Sequence, residues 1–248
     1  MDKIRAKAAF EAYADKYDTE NINIRLKIDH TYRVAEFCER ISKSLTDNAT
    51  DIELAWLLGL LHDIGRFEQL KRYDTFVDKD SIDHAELGAN ILFYDGLINN
   101  FINEDRMPFN LIETAIRLHN KLVVPDDLDE RTLFFTNILR DADKCDIFRV
   151  ITEPPFDKRM DMIRKSTEPA RDLIMKCIRE HRCVPRTFNT SPFESLLSQC
   201  CLAFELVYDE SRKIVKEQGY LNKLVSIQLM SPLKKQMDCL KTELNNFL

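Results

Sequence analysis

An adjacent His-Asp pair, His62-Asp63, follows an apolar run and is the strongest chemical signal in the chain. Ala55 to Leu61 are all apolar or glycine, so we expect a buried helix that carries the pair into the interior. A buried carboxylate is costly unless it meets a positive partner, and a divalent cation is one such partner. The sequence therefore raises the question of whether further metal ligands are present.

Most of the five histidines share this setting. Four of them fall on the apolar side of separate predicted helices: His30, His62, His84 and His119. A single histidine on an apolar face is more often a hydrogen-bonded core residue than a ligand, but four in separate helices, with Asp63 and Asp143, are harder to explain in that way. Imidazole and carboxylate ligands together suit Mn, Fe, Zn or Co better than Ca. His181 follows a polar helix and is assigned no role.

The elements that must position these residues are predicted to be helices. Helical periodicity runs through most of the 248 residues and only five are glycine, so we predict an all-α fold. Residues 71–80 lack this periodicity and are predicted to form a loop. Helices are predicted at about 24–45, 50–62, 131–150, 167–182 and 191–219, and further helices are predicted to begin near residues 81, 108 and 231. Capping boxes at Thr50 and Ser191 mark the starts of two of them.

Whole-chain properties restrict the partners. Lys+Arg number 36 and Asp+Glu number 42, giving a net charge of −6, so we expect neither duplex nucleic acid nor a membrane surface as a partner. No apolar run approaches the ~20 residues of a membrane span. The N-terminus lacks the apolar core of a signal peptide, and the seven scattered cysteines contain no Cys-x-x-Cys pair. We predict a cytoplasmic protein with reduced thiols; its oligomeric state is left open.

The order of His30, then His62-Asp63, then Asp143 resembles the HD-domain superfamily, which is named after the His-Asp doublet. The local contexts resemble it too: residues 29–34 (DHTYRV), 60–67 (LLHDIGRF) and 141–144 (DADK). His84 and His119, in the contexts DHAELG and LHN, resemble the two additional histidines of members that hold a second metal. The resemblance covers about 24–150 and implies an HD-type metal-binding core there. Because the sequence contains no low-complexity linker and no repeat, we predict one all-α domain, with a C-terminal helical extension at about 151–248.

The resemblance also implies a ligand set. One metal would be bound by His30, His62, Asp63 and Asp143, and a second by His84 and His119, with Asp63 bridging the two. Asp141 competes with Asp143 for the last position; Asp143 is preferred because it keeps register with Leu139 and Ile147. The expected cofactor is one or two divalent ions, with Mn, Fe, Mg, Zn, Ni and Co as candidates.

The implied activity is hydrolysis of a small phosphomonoester or phosphodiester, with a nucleotide as one candidate substrate. Divalent ions lower the pKa of bound water and neutralise charge on phosphoryl oxygens. Asp63 and Arg66 are the expected catalytic residues. Arg66 could form a bidentate contact with a phosphate or be an ordinary surface charge, and Arg33 and Lys144 are further candidate substrate contacts. Lys71, Arg72 and Lys79 follow the doublet and could attract an anion, although such charges are more often simply solvated.

Two other classes of function stay open at this point. HD proteins with six ligands include mixed-valent di-iron oxygenases similar to myo-inositol oxygenase, which iron content and oxygen dependence would distinguish. A non-catalytic ligand-binding or regulatory domain is the third class, and the intact ligand set argues against it. No Gly-Tyr-Pro signature of cyclic-dinucleotide phosphodiesterases is present.

Overall fold

The computed structural model describes residues 2–102, 107–153, 156–185, 188 and 191–248. These residues form helices and connecting turns, without a β-strand among them, which confirms the all-α prediction. The α-helices are α1 (Lys3–Ala14), α2 (Ile22–Lys43), α3 (Ala49–Leu61), α4 (Ile64–Tyr73), α5 (His84–Ala89), α6 (Ile98–Phe101), α7 (Phe109–Leu118), α8 (Glu130–Thr152), α9 (Phe156–Arg164), α10 (Asp172–Arg179), α11 (Pro192–Cys200), α12 (Asp209–Gln218), α13 (Tyr220–Val225) and α14 (Leu233–Phe247).

The chain divides into two compact units, Met1–Asp143 and Lys144–Leu248, and the boundary falls within α8. A single domain with a core at about 24–150 and an extension at about 151–248 stays a prediction. Within the described ranges, no helix is both long enough and apolar enough to cross a bilayer. The seven cysteines are free thiols.

Helix α3 is the centre of the first unit. Every residue from Leu54 to Leu61 is buried, as expected for a helix that is apolar on all sides. Gly59 allows the backbones of α3 and α2 to touch, since a Cβ at this position would lie 2.5 Å from Ala35 Cα. This close approach sets His30 on α2 beside His62 at the end of α3.

Two further glycines bring α4 against α5. A Cβ on Gly65 would lie 2.2 Å from the His84 carbonyl oxygen and 2.6 Å from Gly88 N, so only glycine fits here. Gly88 lies on the other side of this contact, where a Cβ would lie 3.0 Å from Gly65 N. The contact places the start of α5, where His84 lies, next to the His-Asp doublet.

Several predicted boundaries were wrong. Helix α3 is capped by Asn48 and not by the predicted Thr50: the Asn48 side chain accepts hydrogen bonds from Thr50 N and Asp51 N. Asn is at least as good an N-cap residue as Thr, and Asn48 directly precedes the helix. Residues 71–73 belong to α4, and Asp78–Asp80 form a 3-10 turn, so only part of 71–80 is a loop. Helix α5 begins at His84 after an Asp83 cap.

The long C-terminal helix predicted over 191–219 is also divided. Its start is confirmed, since Ser191 Oγ accepts from Glu194 N at 3.1 Å. However, α11 gives way to a 3-10 turn over Cys201–Glu205, and α12 begins at Asp209. Asp209 and Glu210 favour a new helix start, because acidic side chains are stabilised in the first turn of a helix.

Candidate metal centre

The His-Asp doublet lies at the junction of two helices. His62 ends α3 and Asp63 precedes α4, and both are buried. Asp63 makes no side-chain hydrogen bond to the start of α4. Its carboxylate is therefore available to groups outside its own helix.

The structure brings the six predicted ligands together from six elements. His30 comes from α2, His84 from α5, His119 from the end of α7 and Asp143 from α8, to join the doublet. The four histidines are almost completely buried, as predicted. The side chain of Asp143 is 24% exposed, which makes it the ligand candidate closest to solvent.

Asp63 lies between two pairs of histidines. Its Oδ2 is 3.6 Å from both His30 Nε2 and His62 Nε2. Its Oδ1 is 3.5 Å from His84 Nε2 and 3.9 Å from His119 Nε2. Each carboxylate oxygen thus faces one histidine pair, which is the arrangement that a bridging ligand requires.

The last predicted ligand, Asp143, belongs to the first pair. Its Oδ1 lies 3.1 Å from His30 Nε2 and 3.8 Å from His62 Nε2. Asp141, the alternative on the same helix, is fully buried. These contacts support the preference for Asp143, although its role as a ligand stays a prediction.

The rings are turned so that their Nε2 atoms face one another. His62 and His30 Nε2 are 3.3 Å apart, and His84 and His119 Nε2 are 3.1 Å apart. His62 Nδ1 lies 2.7 Å from Gly59 O, His119 Nδ1 2.6 Å from Ile116 O, and His84 Nδ1 2.8 Å from Asp78 Oδ2. Since carbonyl and carboxylate oxygens only accept, these three Nδ1 atoms carry the proton and the Nε2 atoms present lone pairs.

Burial keeps these histidines neutral. It lowers the pKa of His119 to about 3, with His84 and His62 contributing, and it lowers the pKa of His62 and of His84. Burial by itself would raise the pKa of Asp63, but Lys27, His62 and Arg66 outweigh it and hold that pKa well below its usual range. The centre therefore presents neutral imidazoles around an ionised carboxylate, the forms that bind metals.

The donor set fits a divalent ion in each half. Ligand atoms at about 2.0–2.1 Å from one ion lie about 3.0–3.4 Å apart. The donor separations are 3.3–3.6 Å among His30, His62 and Asp63, and 3.1–3.9 Å among Asp63, His84 and His119. Two Nε2 lone pairs facing each other at 3.1 Å repel, and a cation between them removes that repulsion.

Lys27 is a member of the centre that the sequence analysis missed. Its Nζ lies 2.7 Å from Asp63 Oδ2, and its side chain is 9% exposed. It lies three residues before His30 on α2, a spacing that places both on one helix face. This three-residue spacing could have indicated that Lys27 lies beside His30. Because lysines are mostly exposed in proteins, however, the residue type gave no reason to expect a buried side chain.

The predicted substrate contacts have other partners in the structure. Arg66 Nη1 donates to Gln69 Oε1, Phe76 O and Asp78 Oδ1 at 2.7–2.8 Å, and its Nε lies 3.6 Å from Asp63 Oδ1. With 13% of its side chain exposed, Arg66 is not an ordinary surface charge. The Arg33 guanidinium lies 5.3 Å from the centre of the Phe37 ring.

Three other basic residues also have contacts of their own. Lys144 Nζ lies 3.2 Å from Glu205 Oε2. Arg72 pairs with Glu68, and Lys71 lies over the Tyr17 ring.

A third group, Asp78, Asp83 and His84, also has donor atoms close enough for an ion. Asp83 is already engaged: Oδ1 accepts from Ala85 N and Asn120 Nδ2, and Oδ2 pairs with Lys121. This group therefore supports the start of α5. Asp78, which the sequence analysis placed in a loop without a role, contacts His84 directly.

Fold and site together define an all-α protein with a candidate two-metal centre. Residues 28–147 match the family model described as HD domain, and this range contains all six predicted ligands. Over these 120 of its 248 residues the chain is thus similar to the HD-domain family, whose members are mostly metal-dependent hydrolases. Comparisons with curated proteins and with solved structures give no match.

Proposed function

We propose that the protein is a two-metal phosphohydrolase that cleaves a small phosphomonoester or phosphodiester, with a nucleotide as one candidate substrate. The observation that carries the proposal is the position of Asp63, whose two oxygens each face a separate histidine pair. His30, His62 and Asp143 would complete one metal site, and His84 and His119 the other. Mn, Fe, Mg, Zn, Ni and Co remain the candidate ions.

Bound divalent ions supply a water of lowered pKa and neutralise charge on phosphoryl oxygens. The side chains do the rest: Asp63 holds both halves together, and the buried Nδ1–H bonds keep the imidazoles from rotating. Burial excludes competing water from the histidine side of the centre. Asp143, the most exposed candidate ligand, marks the side from which a substrate would arrive.

Local charge supports an anionic substrate. Three carboxylates, Asp63, Asp78 and Asp143, outnumber the two cations Lys27 and Arg66 by one. Two divalent ions would therefore leave the centre with a net charge of about +3, which attracts a phosphate group. Phosphate contacts from Arg66, Arg33 and Lys144 remain predictions. A cytoplasmic location also remains a prediction, and the free thiols are in keeping with it.

The test combines metal content with turnover. The full-length protein is purified, its ions are counted per chain, and phosphate release is measured on p-nitrophenyl phosphate, bis-p-nitrophenyl phosphate and a nucleotide series. We expect two ions and hydrolysis that His62→Ala abolishes. His181→Ala is the matched control, since His181 pairs with Glu243 outside the ligand set.

Other results would assign another class. Two irons with oxygen-dependent turnover and no phosphate release would identify a di-iron oxygenase. Bound ions without turnover on any of these substrates would favour a regulatory domain. Turnover that survives in the His62→Ala variant would refute the metal centre as the site of hydrolysis.

A further inference from the structure

The segment between α4 and α5 supplies a carboxylate that is outside the six-ligand set. Asp78 Oδ2 lies 2.8 Å from His84 Nδ1, and Oδ1 lies 3.0 Å from the same atom. On the opposite side of the ring, His84 Nε2 faces Asp63 Oδ1 and His119. Asp78 therefore determines which nitrogen of His84 carries the proton and which one points into the centre.

Asp78 is itself held in place by α4. Its Oδ1 accepts from Arg66 Nη1 at 2.8 Å and from Gln69 Nε2 at 2.9 Å. Gln69 is fully buried and also donates to Ser81 Oγ and Ile82 O, both at 2.9 Å. These bonds fix both ends of the turn that carries Asp78, so its carboxylate has one orientation although its side chain is 20% exposed.

His84 differs from two other histidines in the kind of group that orients it. His62 and His119 are oriented by the backbone carbonyls of Gly59 and Ile116, which a substitution does not remove. His84 is oriented by a side chain. An acceptor of this kind fixes the ring and raises its basicity as a ligand, and its loss typically lowers metal affinity by about 10–100-fold.

We propose that Asp78 is a positioning residue of the metal centre, which holds His84 in the tautomer and orientation needed for the second ion. The inference rests on the proposed function, since it assumes that Asp63, His84 and His119 bind an ion. The ion held by His30, His62 and Asp63 is not expected to depend on Asp78. Asp78 thus makes one half of the centre depend on the segment between α4 and α5.

The first measurement is a calorimetric titration of the metal-free, full-length protein with Mn²⁺. We expect two ions in the wild type and, in Asp78→Ala, about 10–100-fold weaker binding of the second with the first unchanged. Asp78→Asn keeps an acceptor of the same size, is expected to lose less, and decides the question if the alanine variant does not fold. Asp80→Asn, an exposed carboxylate in the same turn, is the matched control and should bind like the wild type.

The second measurement determines the tautomer of His84. Nitrogen-15 NMR of the metal-free protein should show His84 with its proton on Nδ1 in the wild type and in Asp80→Asn, and a mixture of tautomers in Asp78→Ala. Unchanged second-ion affinity in both Asp78 variants, or an Nδ1–H tautomer that persists in Asp78→Ala, would overturn this inference and leave the proposed function standing. A wild type that binds fewer than two ions would overturn both.

Discussion

Replacing Gly65 with alanine should separate α4 from α5 and weaken the second metal site. The new Cβ would lie 2.2 Å from the His84 carbonyl oxygen, and contacts below 3.0 Å essentially never occur, so the backbones must part by about 0.8 Å. The two nearest atoms, the His84 carbonyl oxygen and Gly88 N, belong to the backbone and cannot rotate away as a side chain could. Metal ligands tolerate displacements of about 0.2–0.5 Å, so His84 would no longer reach its place beside Asp63.

The effect of Gly65→Ala on the free energy of unfolding should be small compared with its effect on metal affinity. Overpacking of this kind costs about 1–3 kcal/mol, whereas alanine improves helix propensity over glycine by about 1 kcal/mol. The net loss of unfolding free energy is therefore about 0–2 kcal/mol, or up to roughly 8 °C in melting temperature for a chain of this size. Metal affinity, not stability, is the sensitive measurement.

Calorimetric titration of Gly65→Ala with Mn²⁺ is expected to show a second ion bound at least tenfold more weakly and a first ion bound normally. Gly59→Ala is the matched comparison, because its Cβ would lie 2.5 Å from Ala35 Cα and would displace α2 from α3. That variant should weaken the ion held by His30 and His62. If Gly65→Ala binds two ions with wild-type affinity, the close approach of α4 and α5 does not set the geometry of the site.

Three further predictions concern the buried titratable groups of the centre. His62→Ala and Asp63→Asn should each abolish turnover while circular dichroism shows an unchanged helical content; activity in both would refute the ligand assignment. Lys27→Met leaves the Asp63 carboxylate with Arg66 Nε at 3.6 Å as its nearest cation. The free energy of unfolding of the metal-free variant, measured in urea, should therefore be about 3 kcal/mol lower than that of the wild type. Added Mn²⁺ should recover more stability in it than in the wild type, because the ions replace the lost positive charge; equal recovery would contradict the argument. Because burial lowers the pKa of His119 to about 3, the unfolded chain binds a proton there below about pH 6.5 when the folded chain does not. The metal-free protein should therefore lose up to about 1.4 kcal/mol per pH unit between pH 6.5 and 3 through this residue. In urea unfolding, His119→Gln should show a flatter pH dependence than the wild type, and an equal slope would show that His119 is not buried neutral.

Local sequence signals were sufficient for much of the fold. Apolar periodicity identified the helices around the site, and the fully apolar segment before His62 identified the central helix α3. Helix ends were less predictable, because Asn48, Thr50 and Asp51 are all acceptable near a helix start. The division of the region after Ser191 was missed, because apolar residues continue across the 3-10 turn at Cys201–Glu205 and conceal the break.

The sequence by itself determined the types of group at the centre: imidazoles and carboxylates on apolar helix faces, in an order that resembles the HD superfamily. The resemblance also predicted the pairing of His30 with His62 and of His84 with His119 around Asp63. Only the tertiary structure decided the distances between these groups, placed Lys27 against the shared carboxylate and turned Asp78 onto His84. The reason is physical: periodicity reports which face of a helix is buried, whereas the distance between side chains on different helices depends on how closely their backbones approach. At Gly59, Gly65 and Gly88 that approach depends on the absence of a single carbon atom.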